Sequence, residues 1–177
     1  MKLVKRIEIR TTAKSTIERH PVPVLGIDYK VKIEYRNIKI AELDVEGKTI
    51  KISLPNKYKK TSNTQILDLA IEKMYEQIAK VEIERAMEKT RILLGFAPED
   101  YEIKRINKSL ANCNVENSFI TINPDIVAYD EKTIEYVILH EFCHLKYKIR
   151  TKNFWKMIGT YMPNYEQYAV TLGNIAY

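Results

Sequence analysis

The chain has 177 residues, 45% of them hydrophobic and 29% charged, an ordinary globular balance with enough apolar material for one packed domain. Its net charge of +6 and pI near 9.1 allow an acidic or nucleic-acid partner, yet Lys and Arg are interleaved with Glu throughout, the pattern of a solvated basic surface. No run of about 18 apolar residues exists to span a membrane, and no apolar stretch follows the basic start Met1–Arg6 as a secretory signal would need, so a cytoplasmic protein is expected.

In chain order, Leu3 to Arg10 alternates apolar and charged residues and predicts a strand. Tyr29 to Tyr35 has a clean period of two, with Tyr29, Val31, Ile33 and Tyr35 on one face. Ile38 to Val45 is apolar-rich, Glu46-Gly47-Lys48 reads as a turn, and Thr49 to Leu54 reads as a strand stopped by Pro55. These segments predict an antiparallel meander. Ser62 with Gln65 fits a capping box, and no Gly or Pro intervenes before Gly95, so a long helix is expected from Ser62 to about Leu94. Ile66, Leu69, Ala70, Met74, Ile78 and Val81 would form its buried stripe, which drifts toward Ala86, Leu93 and Leu94, with a break near Ala86 left open.

Tyr101 to Ile106 predicts a further strand, the polar run Lys108 to Asn117 a loop, and Phe119 to Ile122 a short strand ended by Asn123-Pro124. Asp130 caps an expected helix from Glu131 to about Tyr147. Two more helices follow, one opening at Thr151 or Asn153 and running to about Tyr161, the other from Tyr165 to about Ile175. Cys113 and Cys143 form no CxxC pair and read as reduced thiols.

The chemistry concentrates in His140-Glu141-Phe142-Cys143-His144. Residues four apart share a helix face, so both imidazoles can address one metal ion. Zinc accepts such nitrogens, and in catalytic sites it commonly has three protein ligands and water. Glu141, beside the first histidine, can act as general base on the attacking water. Ile134, Val137, Ile138 and Leu145 give the same helix an apolar face. The third histidine of the chain, His20, precedes Pro21 in an expected loop. It reads as a loop residue or as a ligand that folds over the site.

The segment Ile134–Lys146 around this motif resembles the YgjP-like family of metal-dependent hydrolases, relatives of the SprT-like and WLM metallopeptidases. Phe154-Trp155 matches the Phe-Trp after the family's metal helix. Met162-Pro163-Asn164-Tyr165 looks like its Pro-Asp-Tyr, Cys113 matches the Cys of its Trp-Gly-Ser-Cys, and Phe119–Asn123 looks like its strand ending in Leu-Asn. The specific likeness spans roughly residues 105–170.

The resemblance implies an α+β, zincin-like fold: an N-terminal antiparallel sheet over 1–60, then a metallopeptidase region over 61–177. That region would hold the long helix, a small second sheet, the HExxH helix and C-terminal helices. It implies Zn2+ bound by His140 and His144, Glu141 as catalytic base, and a peptide or protein substrate. The family's third histidine lies six residues after the second, where this chain has Arg150, and the Trp-Gly-Ser before Cys113 is absent. A guanidinium is not expected to ligate zinc. Candidates for the third ligand are therefore Glu166, His20 and Cys113, whose matching loop the family places near the metal helix. Arg150 reads either as a surface residue or as a contact to a substrate carboxylate or oxyanion. Tyr147 and Tyr161 are further candidates for a transition-state hydrogen bond. The competing expectation is a non-catalytic module on the same scaffold that binds nucleic acid or protein.

Overall fold

The computed structural model describes residues 21–60 and 63–173. The expected strand Leu3–Arg10, the cap Ser62 and the candidate ligand His20 lie outside the described residues. The elements run β1 (Val22–Val24), β2 (Ile27–Arg36), β3 (Glu42–Glu46), β4 (Thr49–Pro55), α1 (Asn63–Leu94), β5 (Asp100–Ile103), β6 (Ala111–Asn114), β7 (Phe119–Ile122), α2 (Glu131–Lys146), α3 (Lys152–Tyr161) and α4 (Tyr165–Leu172). Two compact units divide them. The first holds Asp28–Lys73 with residues up to Val24; the second holds Leu25–Ile27 and Met74 onward.

The sheet of the first unit has the order β1-β2-β4-β3 and is mixed rather than the expected antiparallel meander. β2 and β4 pair in parallel, and β3 crosses to the outer edge, antiparallel to β4. Burial explains the order. The register sets Val31 beside Ile50, Ile33 beside Ile52 and Tyr35 beside Leu54, and all six are buried. Every residue of β3 is exposed, so it contributes little to a core and takes the edge. Gly47, with φ 57°, makes the expected turn between β3 and β4.

α1 is a single uninterrupted helix of 32 residues, without a break at Ala86. It ends at Gly95, whose φ of 73° and N–H bond to the Arg91 carbonyl at 2.9 Å close the last turn. Its buried face differs from the expected stripe. Leu67, Met74, Tyr75, Ala79, Ile83, Ala86 and Met87 are buried, whereas Leu69 and Val81 are more than half exposed. The apolar residues cover an arc wider than one face, and the tertiary structure selects the side carrying the small Ala79 and Ala86.

In the second unit, β5, β7 and β6 form a three-stranded sheet in that order, β5 parallel and β6 antiparallel to β7. β6 falls within the stretch expected to be a loop. Its Ala-Asn-Cys-Asn sequence carries no apolar alternation; pairing of Cys113 with Ile120 and Ala111 with Ile122 makes it a strand. Beyond β7, Asn123 accepts the Asp125 N–H at 3.1 Å and donates to the carbonyls of Ile106 (3.1 Å) and Ser109 (3.3 Å), fixing the chain as it leaves the sheet.

α2 begins as expected. Asp130 accepts the Thr133 N–H at 2.9 Å and its hydroxyl at 3.0 Å. Ion pairs Lys89–Glu135 (2.6 Å) and Arg85–Glu131 (3.1 Å) tie the helix to the latter half of α1. Its start is also clasped by the Leu25-Gly26 turn. Leu25 N–H donates to the Val127 carbonyl at 2.7 Å and Gly26 N–H to that of Ala128 at 3.2 Å.

Gly26 has φ 76°, and a Cβ there would lie 3.0 Å from the Asp130 Cβ. Gly47 is also left-handed but has open space around it. Gly26→Ala is therefore expected to lower unfolding free energy by about 2–4 kcal/mol, adding a clash to the αL penalty, and Gly47→Ala by about 1–2 kcal/mol. Urea unfolding of the two variants checks the order. Equal losses would mean that the clasp on α2 adds nothing.

Candidate metal centre

From Tyr136 to Cys143 every residue of α2 is buried. Helical spacing then sets His140 and His144 one turn apart, with ring centroids 5.0 Å apart and planes at 65°. Two imidazoles sharing a zinc ion at about 2.0–2.1 Å, with a near-tetrahedral angle between them, have ring centres roughly 5 Å apart. The observed separation fits that demand.

Second contacts set the two rings' orientation and protonation. His144 Nδ1–H donates to the Tyr147 carbonyl at 3.2 Å, the tautomer in which Nε2 carries a lone pair. His140 is wholly buried and packs edge-on against Phe154 at 4.8 Å, Trp155 at 5.8 Å and Tyr136 at 5.9 Å. Phe154 also lies 4.7 Å from the His144 ring. Trp155 is backed by Tyr165, stacked at 5.6 Å. Burial, followed by the nearby His144 and Arg150 charges, pushes His140 down to about 2. Burial also lowers His144. Both rings are thus neutral, the form that binds metal.

Glu141 is 5% exposed, and burial raises its carboxyl to about 7 against the opposing pull of Arg150 and of a hydrogen bond from the Cys113 backbone N–H. Cys113 belongs to β6, so that strand lies beside the carboxylate. A group titrating near neutrality can both take and return a proton.

Glu141 and His144, but not the wholly buried His140, line a cleft of about 560 Å³ together with Asn112, Cys113, Lys148 and Arg150, among others. A larger cavity of about 640 Å³, beside Met87, Glu88 and Phe142, contains neither histidine nor Glu141. Arg150 and Cys113 therefore share the cleft with the motif. Burial, with the Glu141 charge, pushes the Cys113 thiol up to about 12, so it is protonated. Glu166 is exposed in the first turn of α4, away from the cleft lining. Tyr147 contributes its backbone carbonyl rather than its phenol, and Tyr161 is exposed at the end of α3. Among the described residues no three His, Cys, Asp or Glu side chains are grouped to hold a metal. The two imidazoles lie together, and among the described residues no third candidate ligand is grouped with them.

The sequence singles out Phe154 and Trp155 only through their match to the family's Phe-Trp. Phe154 is a core residue, but both rings also wall the histidines. The signal was the Thr151 cap, whose hydroxyl accepts the Phe154 N–H at 3.3 Å and sets the phase of α3. Tyr136, one helical turn before His140, was legible by spacing alone.

The chain matches the model of the family described as YgjP-like, metallopeptidase domain, over residues 1–174. Two solved structures are similar. One is the metallopeptidase zymogen abylysin of Pyrococcus abyssi (21% identity, TM-score 0.47, covering 51% of this chain and 90% of that one). The other is the zymogen jannalysin of Methanocaldococcus jannaschii (22% identity, TM-score 0.46, covering 51% and 87%). No curated protein matches the chain significantly.

The Glu141 environment has a consequence for stability without metal. Its folded value of about 7 lies above the ordinary 4.5, so the folded state keeps a proton that the unfolded state gives up between these pH values. Stability from this group is complete below pH 4.5 and is lost as pH rises through 7, by roughly 2–4 kcal/mol. Glu141→Gln, which keeps an acceptor for the Cys113 N–H, should stabilise the metal-free protein by that amount at pH 8 and by almost nothing at pH 4. Urea titrations at the two pH values measure it; a gain independent of pH would contradict the assigned burial effect.

Proposed function

Because this chain belongs to the YgjP-like metallopeptidase-domain family, we propose that it is a zincin-like, zinc-dependent peptidase whose metal site is labile. The observation that carries the reading is the pair of neutral imidazoles 5.0 Å apart with a buried carboxylate between them in sequence, the carboxylate and His144 lining one cleft. His140 and His144 would hold the ion. The chemistry supplied by a bound zinc is Lewis-acid polarisation of the scissile carbonyl and acidification of the attacking water. Glu141 takes the proton of that water and delivers it to the leaving amine. The Cys113 N–H keeps the carboxylate aimed, and the Phe154–Trp155 wall keeps bulk water from the His140 ring.

Two imidazoles chelate zinc less tightly than three protein ligands, and the Arg150 charge beside them weakens the hold further. Glu166, His20 and Cys113 remain the candidates for a third ligand supplied on loading. The basic residues Lys148 and Arg150 in the cleft favour a second reading, a metal-independent module that holds nucleic acid or protein.

Zinc titration by calorimetry, together with peptidase assay on a denatured protein substrate, separates the two. The peptidase reading expects zinc binding near one ion per chain that a mild chelator reverses. It expects at least a 100-fold weaker affinity in His144→Ala, and at least a 100-fold loss of kcat in Glu141→Gln with zinc binding retained. Absence of zinc binding, with salt-sensitive DNA binding instead, would favour the module.

A further inference from the structure

The cleft in front of Glu141 has two basic side chains in its lining. Lys148 and Arg150, in the short connection between α2 and α3, line it together with Glu141 and His144. Among the described residues the other acid in its lining, Glu116, approaches Lys148 to 3.9 Å, and both partners are largely exposed. That distance is beyond a hydrogen bond, so the pair is loose and readily exchanged for a better acceptor. The N-terminus of α3, immediately after Arg150 in the chain, has no acidic residue in its first turn and adds positive potential. On the strand side, Cys113 N–H already serves Glu141, and the Asn114 side chain accepts the N–H groups of Glu116 (3.1 Å) and Asn117 (3.3 Å). The cationic side chains therefore lie on one wall of the cleft.

We propose that Arg150, assisted by Lys148, binds a carboxylate of the peptide substrate and thereby selects acidic peptides or free C-termini at this site. The inference rests on the peptidase reading for the word substrate, but the carboxylate-binding claim is separable from turnover. Chemistry favours a carboxylate. The guanidinium fork pairs with both carboxylate oxygens at once, which a neutral amide cannot match, and an ammonium alongside adds a third donor. Arg150 lies close enough for its charge to act on His140, Glu141 and His144 alike, so a carboxylate it holds sits next to the reacting groups. In this role Arg150 is a specificity residue and performs no proton transfer.

The test uses the full chain carrying Glu141→Gln, with zinc added, and measures binding of fluorescein-labelled peptides by anisotropy. One peptide sequence is made in three forms: neutral with a C-terminal amide, neutral with a free C-terminus, and amidated with a single internal Glu. At least one carboxylate form should bind ten-fold or more tighter than the neutral amide, and which one does so identifies a terminal or a side-chain source. Adding Arg150→Gln should bring that ratio to within about two-fold of unity. Arg150→Lys, which keeps the charge without the fork, should leave an intermediate ratio and also serves if the Gln variant fails to fold. Equal binding of all three peptides, or a preference that persists in Arg150→Gln, would overturn the proposal. A carboxylate preference in this variant, with a zinc-supplied wild-type chain that cleaves none of the peptides, would sink the peptidase reading and leave this one standing.

Discussion

The centre depends on the complete burial of α2 from Tyr136 to Cys143. A helix exposed on one side could carry two histidines and a glutamate at the same spacing without changing their chemistry. Here the apolar surroundings act on each group in turn. They hold His140 and His144 neutral and lift Glu141 to about 7. Desolvation disfavours charge whatever its sign, so one environment keeps both imidazoles neutral and favours the protonated carboxyl. The rest of the second unit maintains that burial. Asp130 and the Leu25-Gly26 clasp fix where the helix starts, the α1 ion pairs fix its outer side, and Phe154 and Trp155 close over its end.

The edge strand β6 connects the fold to the chemistry. Its pairing with β7 sets its position, and from there the Cys113 N–H reaches the Glu141 carboxylate. Moving β6 would leave the base buried without its hydrogen-bond donor. Residues of the same strand line the cleft together with Lys148 and Arg150.

Much of this was legible in the sequence because it is local. The motif spacing, the Asp130 cap, the α1 span up to Gly95 and the Tyr29–Tyr35 face all follow from neighbours within a few residues. What escaped is non-local. The parallel pairing of β2 with β4 depends on which distant strand also has a face to bury. β6 has no periodicity of its own and is a strand only because β7 pairs with it. On α1 two adjacent faces are almost equally apolar, so Leu69 and Val81 read as core and emerge exposed. Contact of Phe154 with both histidine rings is a through-space fact that no spacing encodes. The departure at Arg150 was visible in the sequence, but its place on the cleft wall was not.

Zinc K-edge X-ray absorption on zinc-loaded protein tests the central claim most directly. The account predicts a light-atom first shell near 2.0–2.1 Å, with the outer-shell scattering of about two imidazoles, lost in the double variant His140→Ala/His144→Ala. A spectrum without imidazole scattering, or one unchanged in that variant, would place the metal elsewhere and contradict the account.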